Sequence, residues 1–230
     1  VIKVLVVDDQ VLIRAGLAAL INAAPGLEVV GQAANGHEAV AQASACRPNV
    51  ILMDIRMPGL DGVRATERIL AAADGCQPRI LILTTFDLDE YVYAALRSGA
   101  SGFLLKETPP ERLLAAIHTV AEGEMLFAPS VTRRLIEAYT QGEHTHPETP
   151  DLSPLTAREV EVLRLVARGM TNNDIAADLM LSEATVKTHL NRTMTKLNLS
   201  SRAQAVVTAY EAGLVIPRRS AANPGPTTPR

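Results

Sequence analysis

The sequence predicts a doubly wound α/β domain on a five-stranded parallel sheet, followed by a small all-α domain. Three observations predict it. Residues 1–122 alternate short apolar runs with stretches of helical periodicity. From Thr156 onward only helical periods appear. Between the halves, Gln141–Pro154 (QGEHTHPETPDLSP) carries three prolines and no apolar periodicity, which reads as an extended linker. The 230 residues suffice for two ordinary domains, and 47% hydrophobic composition excludes global disorder.

The elements of the first half follow in order. Strands are expected at Ile2–Val7, Glu28–Ala33, Val50–Met53, Arg79–Leu83 and Gly102–Leu105. Four of them are nearly continuous apolar runs, as strands buried on both faces of a parallel sheet should be. Helices fit between and after them at Leu12–Asn22, His37–Cys46, Asp61–Ala73, Asp89–Ser98 and Glu111–Glu122. Each connection has the dozen or so residues that a parallel crossover needs.

The second half offers helices at Ala157–Ala167, Asn173–Leu179, Glu183–Leu197 and Arg202–Ala212. Thr156 with Glu159 has the spacing of a capping box, and Gly169 is a stop signal. Domain limits are set at 1–122, a linker at 123–154, the helical domain at 155–216, and a disordered proline-rich tail at 217–230.

Charge narrows the function classes. The formal net charge is -3, and residues 155–216 carry 7 basic against 6 acidic residues, so neither half is a basic block. Two cysteines, Cys46 and Cys76, fit a reducing compartment rather than a disulfide scaffold. No apolar run approaches the ~20 residues of a bilayer span, and no secretory leader pattern opens the sequence, so a cytoplasmic location is expected with no membrane partner.

In an open parallel sheet, ligands bind outside the carboxyl ends of the strands. Asp8 and Asp9 follow the first expected strand, Asp54 the third and Lys106 the fifth, while Thr84 ends the fourth. Taken singly, an Asp after a strand is ordinarily a turn or cap residue and a Lys a solvated one. Together they converge on one edge, where clustered carboxylates repel unless a cation neutralises them. Oxygen ligands alone favour a hard ion such as Mg²⁺.

The segments VVDD at 6–9, MDIRMPGLDG at 53–62, LTTF at 83–86 and FLLKE at 103–107 resemble a two-component receiver domain, a flavodoxin-like fold. The resemblance implies that Asp54 is the phosphoacceptor. It implies Mg²⁺ ligation by Asp8, Asp9, Asp54 and the backbone carbonyl of Arg56. Lys106 and Thr84 would hold phosphoryl oxygens, and Phe103 resembles the switch aromatic, although a half-buried strand residue explains it equally well. By the same resemblance, Arg56 and Phe86 would occupy positions where receivers vary and tune acyl-phosphate hydrolysis, and neither is a carboxylate or amide that would easily orient water.

In the helical half, Val186, Leu190, Met194 and Leu197 recur at helical spacing and read as core. The opposite face offers Lys187, Thr188, Asn191, Arg192 and Thr195. The segments LTAREVEVL, GMTNNDIA, LSEATVKTHLNRTMTKL and RAQAV resemble the LuxR-type helix-turn-helix of NarL/FixJ regulators. A recognition helix presents its N-terminal residues to base edges in the major groove. Lys187, Thr188 and Asn191 are therefore the base-contact candidates. Arg192, Lys196 and Thr171 are the phosphate-contact candidates.

The combined resemblance implies a DNA-binding response regulator: a sensor histidine kinase phosphorylates Asp54, favouring a homodimer on a double-stranded operator. By the same resemblance it is not expected to be a turnover enzyme. Two alternatives stand beside it. One is a DNA-binding protein whose receiver is a degenerate interaction module, which the intact set Asp8, Asp9, Asp54, Thr84 and Lys106 argues against. The other is a phosphatase with an Asp nucleophile, for which Arg56 stands where a second catalytic acid would be expected.

Overall fold

The structure is a computed structural model, and it describes residues 1–73, 77–84, 94–123, 126–127 and 150–215. Strands β1 (Ile2–Val7), β2 (Leu27–Ala33), β3 (Val50–Asp54), β4 (Arg79–Thr84), β5 (Gly102–Leu105) and β6 (Leu126–Phe127) form one parallel sheet in the order β2-β1-β3-β4-β5-β6. Five strands were expected; the two-residue β6 lies in the stretch assigned to the linker and pairs Phe127 with Phe103. Two residues are too short to show alternation, so no periodicity announces them.

Alternation along each strand divides the core into two layers. Val4, Val6, Val50, Leu52, Leu81 and Leu83 share a cluster with Ile21 of α1 (Val11–Ala23) and Leu113, Ile117 and Val120 of α5 (Pro110–Ala121). The opposite residues Leu5, Val7, Ile51, Met53, Ile80 and Ile82 pack with Ala39 of α2 (Gly36–Cys46), Ala65 and Ile69 of α3 (Gly62–Ala71), and Ala95 and Leu96 of the helical residues 94–97, here α4. Helices on both faces explain why β3 is buried at every position.

The helix starts carry local signals. Asn35 caps α2 by accepting from the Glu38 N–H at 3.0 Å, and Asp61 caps α3 by accepting from the Arg64 N–H at 2.8 Å. Pro110 opens α5, where its missing N–H costs nothing.

The second domain contains α6 (Ala157–Ala167), α7 (Asn172–Leu179), α8 (Glu183–Lys196) and α9 (Arg202–Glu211). Thr156 and Glu159 form the expected capping box, and Gly169 ends α6 with φ 83°. Thr171 and Asp174 form a second box at α7. Val162, Val166, Ile175, Val186, Leu190 and Val206 are buried, so the apolar faces of the four helices meet. The domains touch where α9 begins: Ser201 Oγ donates to Ala100 O at 3.3 Å, and Gln204 Nε2 donates to Arg97 O at 2.8 Å.

Of the expected helix Asp89–Ser98, residues 94–97 are helical and 89–93 lie outside the described residues. Phe86, Cys76, linker residues 124–125 and 128–149, residue 216 and the tail 217–230 also lie outside them.

Candidate functional site

Sheet order places the acidic residues. The chain leaves β1 for β2 on one side, then crosses to β3 on the other, so β1 and β3 are neighbours at a topological switch point. Asp8 and Asp9 follow β1, and Asp54 is the last residue of β3 rather than the one after it. One carboxylate oxygen from each of the three lies within 4.8 Å of the others, Asp8 and Asp54 being buried and Asp9 exposed. Three oxygen donors, one open to solvent, fit a hard cation that retains water.

Thr84 ends β4 and is buried. Its carbonyl accepts from the Lys106 N–H at 2.7 Å, which fixes the start of the turn after β5. From there the Lys106 ammonium reaches two carboxylates, Asp8 Oδ2 at 2.7 Å and Asp54 Oδ2 at 2.8 Å. Burial pushes the Asp54 carboxyl above its ordinary value, outweighing the opposing pull of Lys106. Burial alone would lower Lys106, but its bonds to Asp54 and Asp8 prevail and hold it charged. Phe103 is 2% exposed, so it faces inward rather than sitting half-buried. Arg56 is exposed on the turn after Asp54.

Two supports were not legible in sequence. Arg14 donates from Nη1 to the Asp8 carbonyl at 2.6 Å, and the Gln10 N–H donates to Asp8 Oδ1 at 2.9 Å. Gly62, which reads only as a turn or helix-end glycine, begins α3 against the acceptor strand. Its N–H donates to Ile55 O at 2.9 Å, and a Cβ there would lie 2.0 Å from the Asp54 carbonyl oxygen. Glycine is thus required by close backbone approach.

The second cluster lies on α8. Val186, Leu190 and Thr193 are buried, while Lys187, Thr188, Asn191, Arg192 and Thr195 are exposed. Thr188 Oγ1 donates to Ala184 O at 2.8 Å, so its hydroxyl hydrogen is committed to the helix itself. Lys187 Nζ pairs with Glu183 Oε1 at 3.0 Å. Arg192 makes no ion pair among the described residues.

Lys196 and Thr171 are engaged inside the domain. Lys196 Nζ meets Glu159 Oε2 at 2.7 Å, and the bond from Lys196, with that from the Thr156 N–H, takes the Glu159 carboxyl down to about 2. Position 196 lies about 140° around the helix from Asn191, which turns it toward α6. Thr171 Oγ1 donates to Asp174 Oδ2 at 2.7 Å and accepts from the Asp174 N–H at 3.2 Å as the cap of α7. Lys196 nonetheless stays exposed, one turn after Arg192 and about 40° around the helix from it, and Thr171 is exposed at the start of α7. Arg202, also buried, donates to Asn172 Oδ1 at 2.5 Å and to Met170 O at 2.6 Å, tying α9 to the turn before α7.

No helix among the described residues is long and apolar enough to cross a membrane. Residues 4–118 match the response regulator receiver domain, and residues 153–209 match the bacterial regulatory proteins of the luxR family. The chain is 44% identical to the uncharacterized transcriptional regulatory protein YxjL of Bacillus subtilis over 93% of this chain and 97% of that protein. It is 35% identical to the nitrate/nitrite response regulator protein NarL of Escherichia coli K12 over 90% and 94%. The crystal structure of the response regulator ChrA of a heme-sensing two-component system is similar at 34% identity and TM-score 0.51, covering 93% of this chain and 98% of that one. Receiver and DNA-binding matches thus fall on the two domains that the structure separates, and the chain belongs to the two-component response regulators with a LuxR-type helix-turn-helix, which are DNA-binding regulators rather than turnover enzymes.

Proposed function

We propose that the chain is switched by phosphorylation of Asp54. A sensor histidine kinase donates the phosphoryl group: an Asp54 carboxylate oxygen attacks phosphorus, the phosphorus–nitrogen bond to the kinase histidine breaks, and an acyl phosphate forms. Asp8, Asp9, Asp54 and the backbone carbonyl of Arg56 would hold Mg²⁺, which supplies charge neutralisation for the transferring group. Lys106 pairs with the phosphoryl oxygens, Thr84 hydrogen-bonds one of them, and Phe103 follows the movement of Thr84. The observation that carries the reading is the buried contact of Lys106 with Asp54 beside two further carboxylates. A fixed cation next to the nucleophile serves a transferred anion.

The phosphorylated state favours a homodimer that binds a near-palindromic operator in the cytoplasm, each α8 lying in a major groove. Lys187, Thr188 and Asn191 read base edges, with Thr188 presenting its methyl group, and Arg192 contacts phosphate. Lys196 and Thr171, both exposed beside their partners Glu159 and Asp174, add phosphate contacts next to that of Arg192.

Intact-mass measurement after incubation with acetyl phosphate tests the pocket. One phosphoryl group should add to the native protein with Mg²⁺ present, and none after chelation or in Asp54→Asn. Undiminished labelling of Asp54→Asn would overturn the assignment.

A further inference from the structure

The helical domain holds few cations, and most are committed within it. Arg158 pairs with Glu161, Lys196 with Glu159 and Lys187 with Glu183, while Arg202 is buried against Asn172 and the Met170 carbonyl. The Lys187–Glu183 pair differs from the rest by its position. Glu183 is the first residue of α8, and Lys187 and Asn191 follow at intervals of four, so the three form one stripe. Each step of four turns the stripe by about 40°. All three are exposed, and the Glu183 and Lys187 side chains are about equally open at 50% and 47%.

An acid in this place has consequences that a phosphate-binding face would avoid. If Lys187 leaves Glu183 to meet a phosphate, the carboxylate faces the polyanion uncompensated. If Lys187 stays, the pair is neutral and gains little from phosphate. Both cases weaken binding to arbitrary duplex, where phosphate charge supplies nearly all the attraction. A base pair can satisfy both members: a cytosine N4 amino group donates to a carboxylate, while a neighbouring guanine O6 or N7 accepts from an ammonium.

We propose that Glu183 is a specificity-determining residue, which accepts from a cytosine amino group of the operator and, through its pair with Lys187, suppresses binding to random DNA. This rests on the reading that α8 enters the major groove. The pair is exposed and one helical turn long, so it exchanges readily when a base edge arrives.

The test uses the full chain incubated with acetyl phosphate and Mg²⁺, native and Glu183→Gln. Each selects sites from a randomised duplex library and is then titrated with the selected and a scrambled duplex at several salt concentrations. A thermal melt confirms that the variant is folded, and Glu183→Ala repeats the measurement with no side-chain acceptor left. The native protein should select a C·G pair at one fixed position of each half-site. The variants should lose that preference and bind scrambled duplex about three- to tenfold more tightly, with a salt slope steeper by about 0.9, equivalent to one phosphate contact. If the variants select the native sequence with unchanged discrimination and salt slope, the role of Glu183 is overturned. If the native protein itself selects no site, it is the groove-reading assignment of α8 that fails.

Discussion

The pocket at the sheet edge and the exposed face of α8 both gather charged side chains, yet they are built on opposite principles. In the pocket, Lys106 bridges two buried carboxylates, each held at the end of a strand whose backbone is fixed by its neighbours. On α8, Lys187 and Glu183 meet in solvent, on a helix whose inner side alone is packed. Buried charges need partners in fixed places, whereas exposed pairs contribute little and yield to a competing ligand. The pocket suits chemistry at one defined oxygen; the helix face suits recognition of many surfaces with graded preference.

The contrast predicts how each region responds to substitution. The largest effect belongs to the backbone under the pocket. Gly62→Ala sets a methyl group against the Asp54 carbonyl, so it should destabilise the receiver by roughly 1–3 kcal/mol or more and reduce phosphorylation with it. Urea denaturation of the variant measures this. An unchanged midpoint would show that α3 can retreat from the acceptor strand at little cost.

On α8 the effects should fall on DNA and spare the fold. Lys187→Ala or Asn191→Ala should cost about 1–3 kcal/mol on the preferred operator and relax its sequence preference. Arg192→Ala should weaken all sequences alike and lower the salt slope by about 0.9. Titration of operator and random duplex at several salt concentrations separates the two behaviours. Loss on both DNAs for Asn191→Ala, with loss on operator alone for Arg192→Ala, would mean that the helix is rotated in the groove.

How much of this was legible follows from the kind of information each feature needs. Asp8, Asp9, Asp54, Thr84 and Lys106 could be found because apolar strands have visible ends, and those ends share one edge. The exact register was less visible at Asp54, which completes its strand because its partner Leu83 on β4 extends the ladder past the apolar run, whereas Thr84 ends β4 as expected. The need for glycine at 62 depends on how closely α3 approaches β3, which no residue pattern encodes. The pairing of Lys196 with Glu159 was not visible in the sequence because the two lie 37 positions apart. The Arg14 contact with the Asp8 carbonyl was hidden for a related reason, since a backbone acceptor leaves no trace in residue type.

The smallest predicted effect is one of pH on the helical domain. The Glu159 carboxyl lies at about 2 in the fold against an ordinary 4.5, because it receives bonds from Lys196 and the Thr156 N–H. A carboxyl depressed by folding contributes stability above its unfolded value and loses it as pH falls through the folded one. That contribution should therefore be complete at pH 7 and should fade from about pH 4.5 toward 2. Denaturation of native protein and Glu159→Gln across this window should give a difference that shrinks with acidity. A difference independent of pH would show that Glu159 acts through shape rather than charge.

The account's central claim is that the pocket governs the helix face, and DNA binding with and without a phosphoryl donor tests it most directly. Titration of the selected operator should show tighter binding by the native chain after incubation with acetyl phosphate and Mg²⁺, and no change for Asp54→Asn under the same treatment. Equal gains for both proteins, or none for the fully labelled native chain, would contradict it.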